Sequence, residues 1–183
     1  MYYKLIAIVL LSLALAGCRE ERGPAQAGSA AQTVPSQTIA GFRLVETVLG
    51  RKVWAMVAEE ANSYSDRQQV DLVKLQIDFY TQAGDSINAT LTADRGQINT
   101  ASRDMEARDK VVIINRDSIV LTTDYIRWQN ATRKLSTESA VRLERGSDWL
   151  TGEGLEASPD LKEIELKRNV RGQKDLLNSE RWR

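Results

Sequence analysis

Asp94, Asp124 and Glu153 recur at intervals of 30 and 29 residues, and two carboxylates held about 5–10 Å apart are what glycoside hydrolysis requires. Carboxylates near bends also accept nearby backbone N–H bonds, and with three of them close to turns that capping role is the expectation. No Asp/Asn ligand loop of the EF-hand kind accompanies them, so no metal site is assigned. The chain has no histidine and a single cysteine, Cys18. Imidazole and thiolate catalysis, disulfides and most zinc sites are thereby excluded. What remains is carboxylate, hydroxyl and lysine chemistry, which favours binding over catalysis. No catalytic residue and no cofactor is assigned.

Cys18 has chemistry of another kind. It ends Leu15-Ala16-Gly17-Cys18, behind one cation, Lys4, and an apolar stretch of twelve residues, Leu5 to Ala16. That is short for a membrane-spanning helix, which needs about 20 apolar residues, but typical of a signal peptide. The motif resembles the bacterial lipobox, so residues 1–17 are expected to be removed and Cys18 to become a lipid-modified N-terminus. Loss of residues 1–17 leaves 24 Lys and Arg against 25 Asp and Glu, without the basic excess of a nucleic-acid binder. Residues 18–38 are rich in Gly, Ala, Ser, Gln and Pro and too poor in large apolar side chains to offset ordering entropy. They are expected to form a flexible tether of roughly 25 Å root-mean-square reach.

The elements that must position any site follow from period two. Val53, Met56 and Ala58 fall in one short run; Leu75, Ile77 and Phe79 alternate with polar residues, as do Ile87, Ala89, Leu91 and Ala93. The pattern predicts half-buried strands. Three further registers repeat: Ala93-Asp94, Thr123-Asp124 and Gly152-Glu153; then Met105, Leu135 and Ile164; then Val111, Val141 and Val170, each set spaced by 30 and 29 residues. Within each copy the apolar parity slips just past the acid, from Leu91 and Ala93 to Ile98, from Leu121 to Ile126 and Trp128, and from Leu150 to Leu155. A one-residue slip turns side chains to the opposite face unless the strand bulges or bends. Slips at a shared register predict an all-β jellyroll of antiparallel strands, coiled around an apolar interior, over residues 39–172, with a polar tail at 173–183.

The apolar stripe expected inside comprises Leu75, Ile77, Phe79, Leu91, Met105, Ile113, Ile126, Trp128, Leu135, Val141 and Leu143. Periodicity alone favours a closed core; the small residues Ala89, Ala93 and Ala107 at interior parity argue for a groove able to hold a ligand. Gly50, Gly152 and Gly154 are expected at strand ends or bends. Trp149 and Trp182 are candidate rim aromatics. Ile164, Leu166 and Val170 alternate in the last copy, which has no further copy to pair with and is expected to be an open edge that accepts a partner strand.

The succession Gly50-Arg-Lys-Val-Trp54-Ala, Val70-Asp-Leu72, Leu91-Thr-Ala93-Asp94-Arg-Gly96, Lys110-Val-Val-Ile113, Leu121-Thr-Thr123-Asp124-Tyr-Ile126-Arg-Trp128, Leu135-Ser-Thr137, Leu150-Thr-Gly152-Glu-Gly154-Leu155 and Asn169-Val-Arg-Gly172 resembles the LptC family over about residues 40–172. This family is the periplasmic subunit of the lipopolysaccharide export ABC transporter. The resemblance implies a jellyroll that takes lipopolysaccharide acyl chains from transporter subunits of the LptB, LptF and LptG kind and passes them to an LptA-like bridge protein. It also implies a place on the periplasmic side of the inner membrane. Many members keep an uncleaved N-terminal helix, whereas this chain has a lipobox, and Arg19 is not the Asp that commonly signals inner-membrane retention. The competing expectation is a structural or adaptor lipoprotein with a closed β core and no lipid cargo. A carbohydrate-active enzyme would instead need two of the acids to face one cleft.

Overall fold

The computed structural model describes residues 34–173. Cys18, the signal peptide, most of the tether and the tail from 174 onward, Trp182 included, lie outside the described residues. Among the described residues there are nine strands and no helix: β1 (Gln37–Val48), β2 (Arg51–Tyr64), β3 (Gln69–Tyr80), β4 (Ile87–Asn99), β5 (Met105–Asn115), β6 (Val120–Gln129), β7 (Lys134–Arg145), β8 (Asp148–Ala157) and β9 (Ile164–Gly172). They form one antiparallel sheet in the order of the chain, with β1 and β9 as its edges. β1 begins at Gln37, opposite Ser63, two residues before the boundary expected from composition.

The corner implied by the parity slips is present. The ladders shift register at Thr92/Arg95, Arg108/Val111, Thr123/Arg127, Thr137/Ala140 and Thr151/Glu153, so the irregularities align across β4 to β9. The strands cross the bend in two ways. β4, β6 and β8 change parity there. β5 keeps its parity, because Asp109 and Lys110 both adopt left-handed conformations with φ of 63° and 50°, a cost of order 1–3 kcal/mol for each such non-glycine residue. Lys74 and Asn169 are left-handed at the same level of β3 and β9. Ion pairs run along the outside of the bend: Lys74–Glu59 at 3.2 Å, Lys110–Asp94 at 2.8 Å, Arg95–Asp109, and Glu138 with both Lys167 at 2.6 Å and Arg168 at 3.2 Å. Exposed pairs of this kind contribute about 0–1 kcal/mol each, so they trim the corner and do not create it.

Bending folds the sheet onto itself. In a flat sheet β3 and β6 would lie about 14 Å apart, three strand spacings, yet the rings of Phe79 on β3 and Trp128 on β6 have centroids 5.3 Å apart, tilted by 49°. The two halves of the sheet therefore face each other across an apolar core, a β-jellyroll-like arrangement. Opposite the bend, strand ends from the two halves meet along a seam. Arg103, in the β4–β5 turn, bonds Glu46 of β1 at 2.8 Å, and Asp160, in the β8–β9 turn, accepts from Asn88 Nδ2 at 3.1 Å and, through its carbonyl, from Asn115 Nδ2 at 2.7 Å.

Candidate functional site: the apolar interior and its seam

Every interior residue expected from the sequence is buried in one contiguous cluster: Leu75, Ile77, Phe79, Leu91, Met105, Ile113, Ile126, Trp128, Leu135, Val141 and Leu143. Trp54, Met56, Leu72, Leu121 and Leu155 join them. Trp54 pairs with Phe79 and Met56 with Ile77 across the β2–β3 ladder. The groove expected from Ala89, Ala93 and Ala107 is not open in this structure. All three are buried, and the hollow at the heart of the roll, between Ile77, Phe79, Met105, Ile126 and Trp128, measures about 10 Å³. That is about the room one water needs. The bend brings opposing rows close enough for the large neighbours to fill the space that alanines leave.

The space lies at the seam instead. A hollow of about 440 Å³ opens between the β1–β2 turn (Val48, Leu49), the start of β2 (Arg51, Lys52, Val53), the end of β3 with the turn after it, Arg133 of the β6–β7 turn, and Ser158 to Asp160 of the β8–β9 turn. Phe79 and Trp128 belong both to this hollow and to the closed heart of the roll, so the aromatic pair separates the two. The rim is held by a close approach: a Cβ on Gly84, whose φ is +78°, would stand 2.8 Å from Lys52 N and 2.9 Å from Arg51 Cβ. Lys52 lies over the Tyr80 ring, 5.1 Å from its centroid. None of these rim residues was singled out from the sequence. They come from a strand start and turns as far apart as positions 51 and 160, and only the turn residues around Gly84 and Ser158-Pro159-Asp160 marked their neighbourhoods.

The recurrent acids lie outside the roll, along the bend. Asp94 is paired with Lys110. Asp124 and Glu153 border a shallow concavity of about 800 Å³ on the outer side, together with Lys110, Arg142 and Arg171; it is open to solvent and lies outside the apolar interior. Trp149 is partly exposed, with the Arg142 guanidinium 5.4 Å from its ring. The expected glycines all sit at constrained backbone: Gly50 and Gly154 are left-handed, at +77° and +73°, and a Cβ on Gly152 would come within 3.2 Å of Arg168 O.

At the β9 edge, Ile164 is buried, Leu166 packs on the core and Val170 is exposed. Ser158 N–H donates to Glu163 C=O at 3.0 Å, and the ladder then pairs Glu156 with Glu165 and Leu155 with Leu166. Because bonded and non-bonded pairs alternate in antiparallel ladders, Glu165 turns its backbone groups towards β8, and those of Ile164 and Leu166 face the free edge.

The family model for lipopolysaccharide-assembly, LptC-related proteins matches residues 4–175. The chain belongs to the LptC family. No curated protein is similar enough to the chain to match it. LptC proteins are transport components, not enzymes, and work in lipopolysaccharide transport at the inner membrane and in the periplasm. Among the described residues the chain thus offers a single sheet closed over an apolar interior, a seam along one side, and β9 as an edge strand.

Proposed function

We propose that this LptC-family protein receives lipopolysaccharide from an inner-membrane ABC transporter of the LptB, LptF and LptG kind, holds its acyl chains inside the roll, and passes them to an LptA-like bridge protein. The observation that carries this reading is the continuous buried apolar face, running from β2 to β8, with the Phe79–Trp128 pair and a few polar contacts at the seam between it and solvent. A chain drawn into that interior gains about 0.8 kcal/mol per CH₂ removed from water. Opening the seam exchanges apolar side-chain contacts for contacts with the chain, so the net gain is modest and the cargo remains transferable. The expected cleavage before Cys18 and lipidation of its thiol would tether the domain to the periplasmic face of the inner membrane.

Delivery would use β9, where the outward backbone groups at Ile164 and Leu166 invite addition of a strand from the bridge protein, continuing the greasy interior from one roll into the next. The test is photocrosslinking in cells from the two edge strands. A crosslinker at Val170 on β9, 46% exposed, is expected to capture the bridge protein, and one at Val45 on β1, 44% exposed, is not. Equal capture from both edges, or capture from β1 alone, would contradict delivery through β9.

A further inference from the structure

The hollow at the seam has the chemistry of a binding site for an anionic headgroup. Arg51, Lys52 and Arg133 line it and are exposed, and none of the three has a carboxylate partner among the described residues. The one acid in the lining, Asp160, is already engaged by Ser158 Oγ at 2.6 Å, Asn88 Nδ2 at 3.1 Å, Lys162 N at 3.3 Å and Lys162 Nζ at 3.8 Å. Three cations thus converge on a space with no free anion in it, whereas Lys74, Arg95, Lys110, Lys167 and Arg168 along the bend are paired. The backbone of two of them lies against Gly84, where an added Cβ would stand 2.8 Å from Lys52 N.

A second observation points to the same kind of ligand. Trp128 is 3% exposed and lines the hollow, and among the described residues its buried indole N–H has no acceptor, nor has that of Trp54, its neighbour through Phe79. A buried donor left unpaired costs about 1–3 kcal/mol. Such a donor, on a residue that lines both the hollow and the apolar interior, suits the ester and amide carbonyls that join acyl chains to a charged headgroup. Val48 and Leu49 supply the apolar lip, Leu49 being 88% exposed.

We propose that the seam hollow is the headgroup subsite and lateral mouth of the roll: a phosphate-bearing acylated lipid docks its phosphate on Arg51, Lys52 and Arg133 while its chains pass the Phe79–Trp128 pair into the interior. The proposal rests on the reading that the interior holds acyl chains, and it adds the place and charge by which the lipid is recognised. Entrance by the seam differs from threading along the roll, because the cations select phosphate before any chain is buried.

The test uses the full-length chain in detergent, with photocrosslinkers at Leu49 on the rim or Ile126 in the interior. The probes are lipopolysaccharide carrying its lipid phosphates and the same material dephosphorylated. The wild-type background is expected to label about tenfold more strongly with the phosphorylated lipid, the preference shrinking as ionic strength rises. The Arg51→Ser/Lys52→Ser/Arg133→Ser variant, altered only at exposed side chains and checked for an unchanged β-rich spectrum, is expected to label both lipids alike. Retention of the preference by that variant would overturn the proposal, as would removal of the label by millimolar inorganic phosphate alone, which would mark a free-phosphate site. Labelling at Ile126 without any phosphate preference refutes the headgroup subsite and leaves the acyl-chain reading standing. Absence of label at both positions with both lipids refutes the acyl-chain reading itself.

Discussion

Replacing Ile126 by alanine separates a core that merely packs from a core that gives way to lipid. Ile126 is 1% exposed, lies opposite Ala107 in the β5–β6 ladder and faces the closed heart of the roll with Phe79, Met105 and Trp128. The substitution removes three carbons, worth about 2.4 kcal/mol at 0.8 kcal/mol each. It also leaves a cavity that Ala107 cannot fill, which places the total at about 3–4 kcal/mol within the range for such deletions. The melting temperature should fall by on the order of 10 °C. In an ordinary core that loss would be indifferent to lipid. Here an acyl chain would occupy the vacated space, and a ligand at a hundredfold its dissociation constant stabilises by about 2.7 kcal/mol. Urea unfolding of the full-length chain, followed by circular dichroism with and without lipopolysaccharide, should show a larger lipid-induced gain in Ile126→Ala than in the wild type. Asp78→Ala, on the outer face of β3, should change stability by less than about 0.5 kcal/mol and leave the lipid gain unaltered. Equal lipid gains in all three proteins would refute the reasoning, because they would mean that the chains do not enter this interior.

Glu106 is pushed up by burial, but hydrogen bonds from Arg108, Arg127 and Tyr125 outweigh that and hold its carboxyl below the ordinary 4.5. Its stabilising contribution is therefore present above the unfolded-state value and lost as pH falls through the lower folded one; the stability gap between wild type and Glu106→Gln should be full at pH 7 and should close in acid titration, and a gap that persists in acid would contradict this. Gly84→Ala forces a Cβ to within 2.8 Å of Lys52 N at a φ of +78°, so it should destabilise by about 1–3 kcal/mol in the same unfolding assay, and a neutral effect would show that the rim is not held there. Cys18→Ala should leave the precursor uncut and without lipid, judged by mass and by membrane fractionation; processing at the same site would dismiss the lipobox.

Much of this architecture was legible from period and parity. The alternation of Leu75, Ile77 and Phe79 fixed which side chains turn inward, and the slips beyond Asp94, Asp124 and Glu153 located the bend, because a bulge is the cheapest way for a strand to change face. The repeat of about 30 residues marks every second strand, since it spans one strand up and one down. The intervening corners at Asp109 and Glu138 leave no mark in the sequence pattern, because β5 crosses the bend with two left-handed residues and, like β7, without a change of parity. Sequence could not decide between the closed core that periodicity favours and the groove that the alanines argue for, because alanines leave space only if the opposing half-sheet stays away, and the approach of Phe79 to Trp128 is a property of the whole fold. The mouth was hidden for the same cause. Arg51 and Lys52 begin β2, Arg133 and Asp160 lie in turns, and the four become neighbours only when the two halves of the sheet close.

Occupation of the inside of this roll by lipid acyl chains is tested most directly by photocrosslinking in living cells. Crosslinkers at Phe79, Met105 and Ile126, all buried, should label lipopolysaccharide, whereas those at Asp78 and Arg127, the adjacent residues whose side chains turn to the outer face, should not. Labelling confined to the first set would establish the interior as the lipid path, and equal labelling of both sets, or none at the buried positions, would contradict it.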